Sequence, residues 1–271
     1  MEKSTVLFAI FLAFSPLAHA GGELSIVSLM PSYTEIIFAL GSGARLAGVT
    51  NFCNYPAGTA GIEKIGDYLH PDIEKIVSLK PGIILAGNWQ SPSIVPRLKN
   101  LGLRVVVIPE EKRVADIIRT VRITGSAINR KKEAEKLASR LYSELKAVSV
   151  HGHMKRPAVY IEIDKAYWTT GGGSFISDVI SLAGGENIFA GKKKTYFRTS
   201  WETVADRDPD AIISLSADSR EIAGRPAADK MKAVKNSAII TGLDRDMLSR
   251  PSPRIVEVIR ILRQELTKLR R

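Results

Sequence analysis

Two glutamates stand in the same sequence setting. The segment Ile73-Glu74-Lys75-Ile76-Val77-Ser78-Leu79-Lys80-Pro81-Gly82-Ile83-Ile84 is echoed by Trp201-Glu202-Thr203-Val204-Ala205-Asp206-Arg207-Asp208-Pro209-Asp210-Ala211-Ile212. In both, the glutamate lies seven residues before a proline, and an aliphatic run follows. A carboxylate so placed can meet a guanidinium through charge-assisted, often paired, hydrogen bonds. It can equally do no more than favour the positive end of its own helix. The pattern predicts a short helix, a proline that ends it, then a buried strand. The two copies are too far apart for a solenoid, whose periods run to about 50 residues. They predict two lobes on one plan, each presenting a glutamate at the same place. Matched lobes with a cleft between them suit a binding protein better than a single-site enzyme.

Other reactive residue types form no known catalytic pattern. The chain has no G-x-x-x-x-G-K-[ST], G-x-S-x-G, C-x-x-C or H-E-x-x-H, the motifs of phosphate cradles, serine nucleophiles, thiol redox pairs and zinc proteases. Gly171-Gly172-Gly173-Ser174 offers either an anion site at a helix N-terminus or a plain turn. His70 lies in a loop beside Pro71, and His151-Gly152-His153 supplies two histidines; neither set fills a zinc shell. Cys53 is the single cysteine. It excludes an internal disulfide and reads as a small buried residue.

The elements that must position these groups alternate. Strands are expected at Ser25 to Leu29, Arg45 to Val49, Ile83 to Ala86 and Arg104 to Ile108, and again at Ala158 to Ile163, Ala211 to Leu215 and Ala238 to Ile240. A helix is expected from Tyr33 to Leu40, with Ser32 and Glu35 as a capping box. Another follows Ser174, from Phe175 to Leu182. Strands alternating with helices imply parallel sheets, so the fold class is α/β with two Rossmann-like lobes. From Val114 to about Val148 the periodicity is helical, with Leu137, Leu141, Leu145 and Val148 on one face and Gly125 as a candidate break. A closing helix runs from Ser252 to about Leu269. The expected division is residues 1–20 as a signal peptide, 21–125 as the first lobe, 126–150 as a linking helix and 151–271 as the second lobe.

The signal peptide rests on Lys3, the apolar run Val6 to Phe14 and Ala18-His19-Ala20 as a cleavage site. No cysteine lies near that site, so the expected product is exported and unlipidated, a protein of a bacterial periplasm, and it is expected to be a monomer. The net charge is +11. Export argues against nucleic acid as the partner. The charge is either a solvated surface or an attraction to an anionic ligand or membrane.

The stretches Ser28-Leu29-Met30-Pro31-Ser32-Tyr33-Thr34-Glu35, Gly48 to Pro56, Gly184-Gly185-Glu186-Asn187-Ile188-Phe189 and Arg250-Pro251-Ser252-Pro253-Arg254-Ile255 resemble the periplasmic binding proteins of ABC importers that carry cobalamin, iron–siderophores and haem. The resemblance spans Ile26 to Leu266 and is closest to the cobalamin-binding members. It implies two α/β lobes joined by one long helix, no catalysis and no cofactor other than the transported ligand. It implies that Glu74 and Glu202 dock onto arginines of a dimeric permease in the inner membrane. It further implies a corrinoid ligand between the lobes, with an iron–siderophore or haem as the alternative; an exported enzyme is the alternative of another class.

A corrinoid is a flat macrocycle fringed with amides, so it calls for aromatic and aliphatic surfaces with a few polar groups at the rim. Candidates belong in loops at the strand ends that face the other lobe. Phe52, Trp89 and Trp168 follow strands, and Tyr33 opens a helix after the first strand. The resemblance adds Tyr68, which replaces a family tryptophan, together with Tyr196, Asp246 and Arg250. The match at Trp89 is offset by a residue or two. Trp201 reads as structural or as part of the docking surface.

Overall fold

In the computed structural model, residues 24–88, 92–149 and 155–269 are described. The first half comprises β1 (Ile26–Ser28), α1 (Pro31–Ala39), β2 (Leu46–Val49), β3 (Glu63–Lys64), α2 (Ile73–Ser78), β4 (Ile83–Gly87), α3 (Ile94–Asn100), β5 (Val105–Ile108) and α4 (Asp116–Ala127). After α5 (Lys131–Val148), the second half comprises β6 (Ala158–Glu162), β7 (Trp168–Thr170), α6 (Phe175–Leu182), β8 (Glu186–Asn187), β9 (Tyr196–Arg198), α7 (Trp201–Arg207), β10 (Ala211–Ser214) and α8 (Ser219–Ala223). It closes with α9 (Lys232–Lys235), β11 (Ile239–Ile240), α10 (Arg245–Ser249) and α11 (Ile255–Lys268). The strands of the first lobe lie in the order β3-β2-β1-β4-β5, those of the second in the order β11-β10-β6-β8, and all pair in parallel. A small antiparallel pair, β7 with β9, stands beside the second sheet. The two α/β lobes are therefore as expected.

Each sheet is covered on both faces, which is why its central strands are continuous apolar runs. Ile73 and Ile76 of α2 pack with Ile94 and Leu98 of α3 on the outer face of the first sheet. Trp201, Val204 and Phe189 do the same for the second. The inner faces share one core. It runs from Ile36 and Ile37 of α1 through Leu137, Leu141 and Leu145 of α5 to Val179 of α6 and Ile259 and Leu262 of α11. At 1.5 Å per residue, α5 spans about 27 Å, and Arg263 of α11 holds its end by donating to the carbonyls of Ala147 and Val148, each at 3.0 Å.

The helical stretch breaks at residues 128–130, not at Gly125. Asn129 has φ +59, in the left-handed region that ends helices. Gly125 lies inside α4, where a Cβ would overlap that of Ala134 in α5. Its role is close helix packing. The predicted capping box also fails: Met30 is the N-cap of α1 and no side chain caps it, while Glu35 turns to partners in the second lobe.

The sequence repeat survives as a repeat of conformation. Asp72 caps α2 by accepting from the Lys75 N–H, and Ser200 caps α7 by accepting from the Thr203 N–H. Glu74 and Glu202 each occupy the second helical position. Lys80 and Asp208, the residues before the two prolines, have φ +47 and +42. The strands β4 and β10 then begin at equal distance from their glutamates.

Candidate functional site

In parallel sheets, the loops at the carboxyl ends of the strands diverge and leave a crevice. Here those loops come from both lobes and face each other. Met30, Pro31 and Ser32 follow β1, Phe52 follows β2, Tyr68 follows β3, and Glu110 and Glu111 follow β5. All of them line a cavity of about 580 Å³, closed from the other side by Phe175, Tyr196, Arg245, Asp246, Ser249, Arg250 and Pro251. A second cavity of about 290 Å³ shares Tyr196, Arg245 and Ser249 with it, and continues along Ile163, Asp164, Trp168, Ile176 and Leu215. The two form one cleft, within the usual size range of small-molecule sites.

Four of the expected aromatics reach this cleft. Phe52 is 50% exposed, with its ring 5.6 Å from that of Tyr68. Trp168 and Tyr196 are carried on the paired strands β7 and β9. Tyr196 is open to the cleft, yet desolvation raises its phenol and the Glu110 carboxylate adds to the shift. A narrow cleft can leave a group accessible and still short of water.

Tyr33 is a correction. It is fully buried in the shared core and lines neither cavity. Pro31 and Ser32 take the cleft side of the first helical turn, and the 3.6-residue period turns the next side chain inward. Burial raises the Tyr33 phenol, with Glu111 adding to it. Trp89 lies outside the described residues, as do residues 1–20, the expected signal peptide, and His151 and His153. His70 is exposed, pairs with Asp67 at 3.4 Å and lines neither cavity. Cys53 is buried beside the hydroxyls of Thr34 and Thr50, 3.2 Å from each. Trp201 is buried, donates from Nε1 to the Pro226 carbonyl at 2.8 Å and lies under the Arg225 guanidinium. The triple-glycine turn exists for close approach, since a Cβ at Gly171 or Gly172 would strike backbone carbonyls in the 190–194 loop.

Asp246 and Arg250 line the cleft, but their charges are already answered. Arg250 donates from Nη1 to Glu35 at 3.1 Å and to Asn54 at 2.8 Å, and from Nη2 to the Phe52 carbonyl at 2.9 Å. Its Nη2 also lies 2.7 Å from the Asp246 carboxylate. Asn54 donates to that same carboxylate at 2.8 Å. Arg254 forks onto Glu35 at 2.9 and 2.7 Å, and lies over the Tyr55 ring. Glu35 of the first lobe is thus clasped by two arginines of the second. The sequence reading foresaw the positions of Asp246 and Arg250, but not this clasp. It also passed over Glu110, Glu111 and Arg245. The strand-end rule pointed to the two glutamates, which follow the predicted strand Arg104 to Ile108.

Glu74 and Glu202 are exposed, outside the cleft. The Glu202 carboxyl is held below the usual range by hydrogen bonds to its own backbone and to Ser200, so it stays ionised.

The comparisons with known proteins agree with this architecture. The vitamin B12-binding protein of Vibrio cholerae is 28% identical over 256 residues, covering 92% of this chain and 91% of that protein. A structure described as a possible iron-binding, periplasmic solute-binding protein of Staphylococcus epidermidis is 30% identical, with TM-score 0.77, covering 90% of this chain and 99% of that one. The periplasmic haem-binding protein RhuT of Roseiflexus has TM-score 0.83 at 22% identity, covering 92% and 100%, and shows the fold alone. The family model described as periplasmic binding protein matches residues 26–245, more than half of the chain, and the chain belongs to that family, the substrate-binding proteins of ABC importers.

Proposed function

We propose that this chain, exported under the direction of residues 1–20, captures a corrinoid between its lobes and delivers it to a dimeric ABC permease. The observation that carries this reading is the set of aromatic side chains from both lobes around one cleft. Phe52 and Tyr68 supply one side, and Trp168 and Tyr196 the other. Apolar faces on two sides, with polar groups between them, suit a flat macrocycle with a polar fringe. An anionic iron–siderophore would need free cations. Among the described residues only Arg245 lines the cleft without a carboxylate partner; Arg250 is already paired, and Lys192, Lys193 and Lys194 do not line the cleft. The B12-binding relative supports the corrinoid, and the iron- and haem-binding neighbours keep the alternatives on the test.

The test is titration of the mature protein with cyanocobalamin, cobinamide, haemin and a ferric siderophore, followed by tryptophan quenching and calorimetry. Tight one-to-one binding of a corrinoid is expected. Binding of haemin or a siderophore without any corrinoid would overturn the ligand assignment. Docking is tested separately with the double variant Glu74→Lys, Glu202→Lys. It should bind ligand as the parent does and abolish uptake into cells, whereas lost ligand binding would count against the docking role.

A further inference from the structure

The cleft has the opposite sign to the chain. The whole chain carries +11, but the charged side chains lining the cleft are Glu110, Glu111, Asp164, Asp246, Arg245 and Arg250. Asp246 and Arg250 neutralise each other, and Arg250 also answers Glu35. Among the described residues Arg245 is left as the cation, with its Nη2 bonded to the Ile163 carbonyl at 2.9 Å. Against it stand Glu110, Glu111 and Asp164. Asp164 is turned to its own loop, where Oδ1 accepts from the N–H groups of Ala166 and Trp168. The two glutamates at the end of β5 face the macrocycle site itself.

Their surroundings differ in a useful way. Glu111 is 6% exposed and accepts the Thr120 hydroxyl at 2.5 Å. Glu110 is exposed, and no cation pairs with its carboxylate among the described residues. Arg119 donates only to the Glu110 carbonyl, at 3.2 Å, and pairs with Asp116 at 3.7 Å. One carboxyl is therefore fixed in the wall and the other is open beside it.

We propose that Glu110 and Glu111 set the specificity of this cleft for the fringe of its macrocycle, accepting amides and rejecting carboxylates. The proposal rests on the corrinoid reading above and deepens it. An amide N–H can donate to either carboxylate, and such bonds are charge-assisted. A carboxylate at the same ring position would meet like charge across the contact. It would also lose water without gaining a donor. Haem propionates and carboxylate-bearing chelates fall in the rejected class.

The test compares cobinamide with cobyrinic acid, which has the same corrin ring with free carboxylates in place of its amides. Calorimetry would use the mature parent chain, Glu110→Gln, Glu110→Asp and the double variant Glu110→Gln, Glu111→Gln, at low and high salt. The parent should bind cobyrinic acid at least about tenfold more weakly than cobinamide. Glu110→Gln should narrow that gap several-fold, Glu110→Asp should keep it, and salt should shrink it. Glu110 is at an exposed position, so the single variant carries the test even if loss of the buried Glu111 disturbs folding. Equal affinities for the two corrinoids, or a gap that Glu110→Gln leaves unchanged, would overturn the proposal and leave the corrinoid reading standing. If haemin binds and neither corrinoid does, both fall.

Discussion

Glu111 sits in a wall short of water, and desolvation raises its carboxyl above the usual carboxylate range despite the Thr120 hydrogen bond that works against it. An acid with a raised native pKa binds its proton more tightly folded than unfolded. Its contribution to stability is therefore full below the ordinary glutamate value and declines as pH rises through the raised one. Glu111→Gln should remove that decline, so the variant gains on the parent as pH is raised from about 4 to about 8 in urea unfolding series. The tryptophans make a second contrast. Trp168 is 39% exposed and faces the cleft, whereas Trp201 is 4% exposed in a separate core. Trp168→Ala should weaken ligand binding by about 1–3 kcal/mol with little change in melting temperature. Trp201→Ala should cost about 3–5 kcal/mol of stability in thermal or denaturant unfolding. At this scale the sequence was partly legible. Strand-end logic found Phe52 and Trp168, because the pleat and the parallel pairing fix which ends face the other lobe, whereas Tyr68 and Tyr196 came from the family resemblance. Tyr33 was misplaced because one residue of helical phase separates cleft from core.

Among the elements, short-range chemistry was the most readable part. The Ser174 cap, the leucine face of α5 and the helix–proline–strand repeat all depend on neighbours within a few residues, and all are present. What escaped was set by contacts across the fold. The two-residue strand β3 exists through its pairing with β2, and no periodicity can be read from so short a run. Gly125 looked like a helix breaker because glycine is poor in helices, but its reason is the Ala134 methyl on the neighbouring helix. Gly125→Ala would therefore raise intrinsic helix propensity and still destabilise. The expected loss is about 1–3 kcal/mol, read from the midpoint of denaturant unfolding. An unchanged or raised midpoint would mean that α4 and α5 can slide apart.

Across the whole molecule, the two lobes and their cleft were legible from the repeat, while the clasp between them was not. Its partners are 215 and 219 residues apart in the chain, and Glu35 satisfied a local capping pattern that misled the eye. Glu35→Ala would leave the buried guanidinium of Arg250 and the partly buried one of Arg254 without their shared carboxylate. Breaking one side of such a set costs about 3–5 kcal/mol, which circular dichroism melting would register. The apolar core beneath that clasp has a further consequence. Because α1, α4, α5, α6 and α11 contribute to one continuous cluster, neither lobe owns a complete interior. The lobes should therefore melt as one cooperative unit, with a single heat-absorption peak whose van't Hoff and calorimetric enthalpies agree. A chain cut between them would expose Leu137, Leu141 and Leu145 to water, and each half alone would be prone to aggregate.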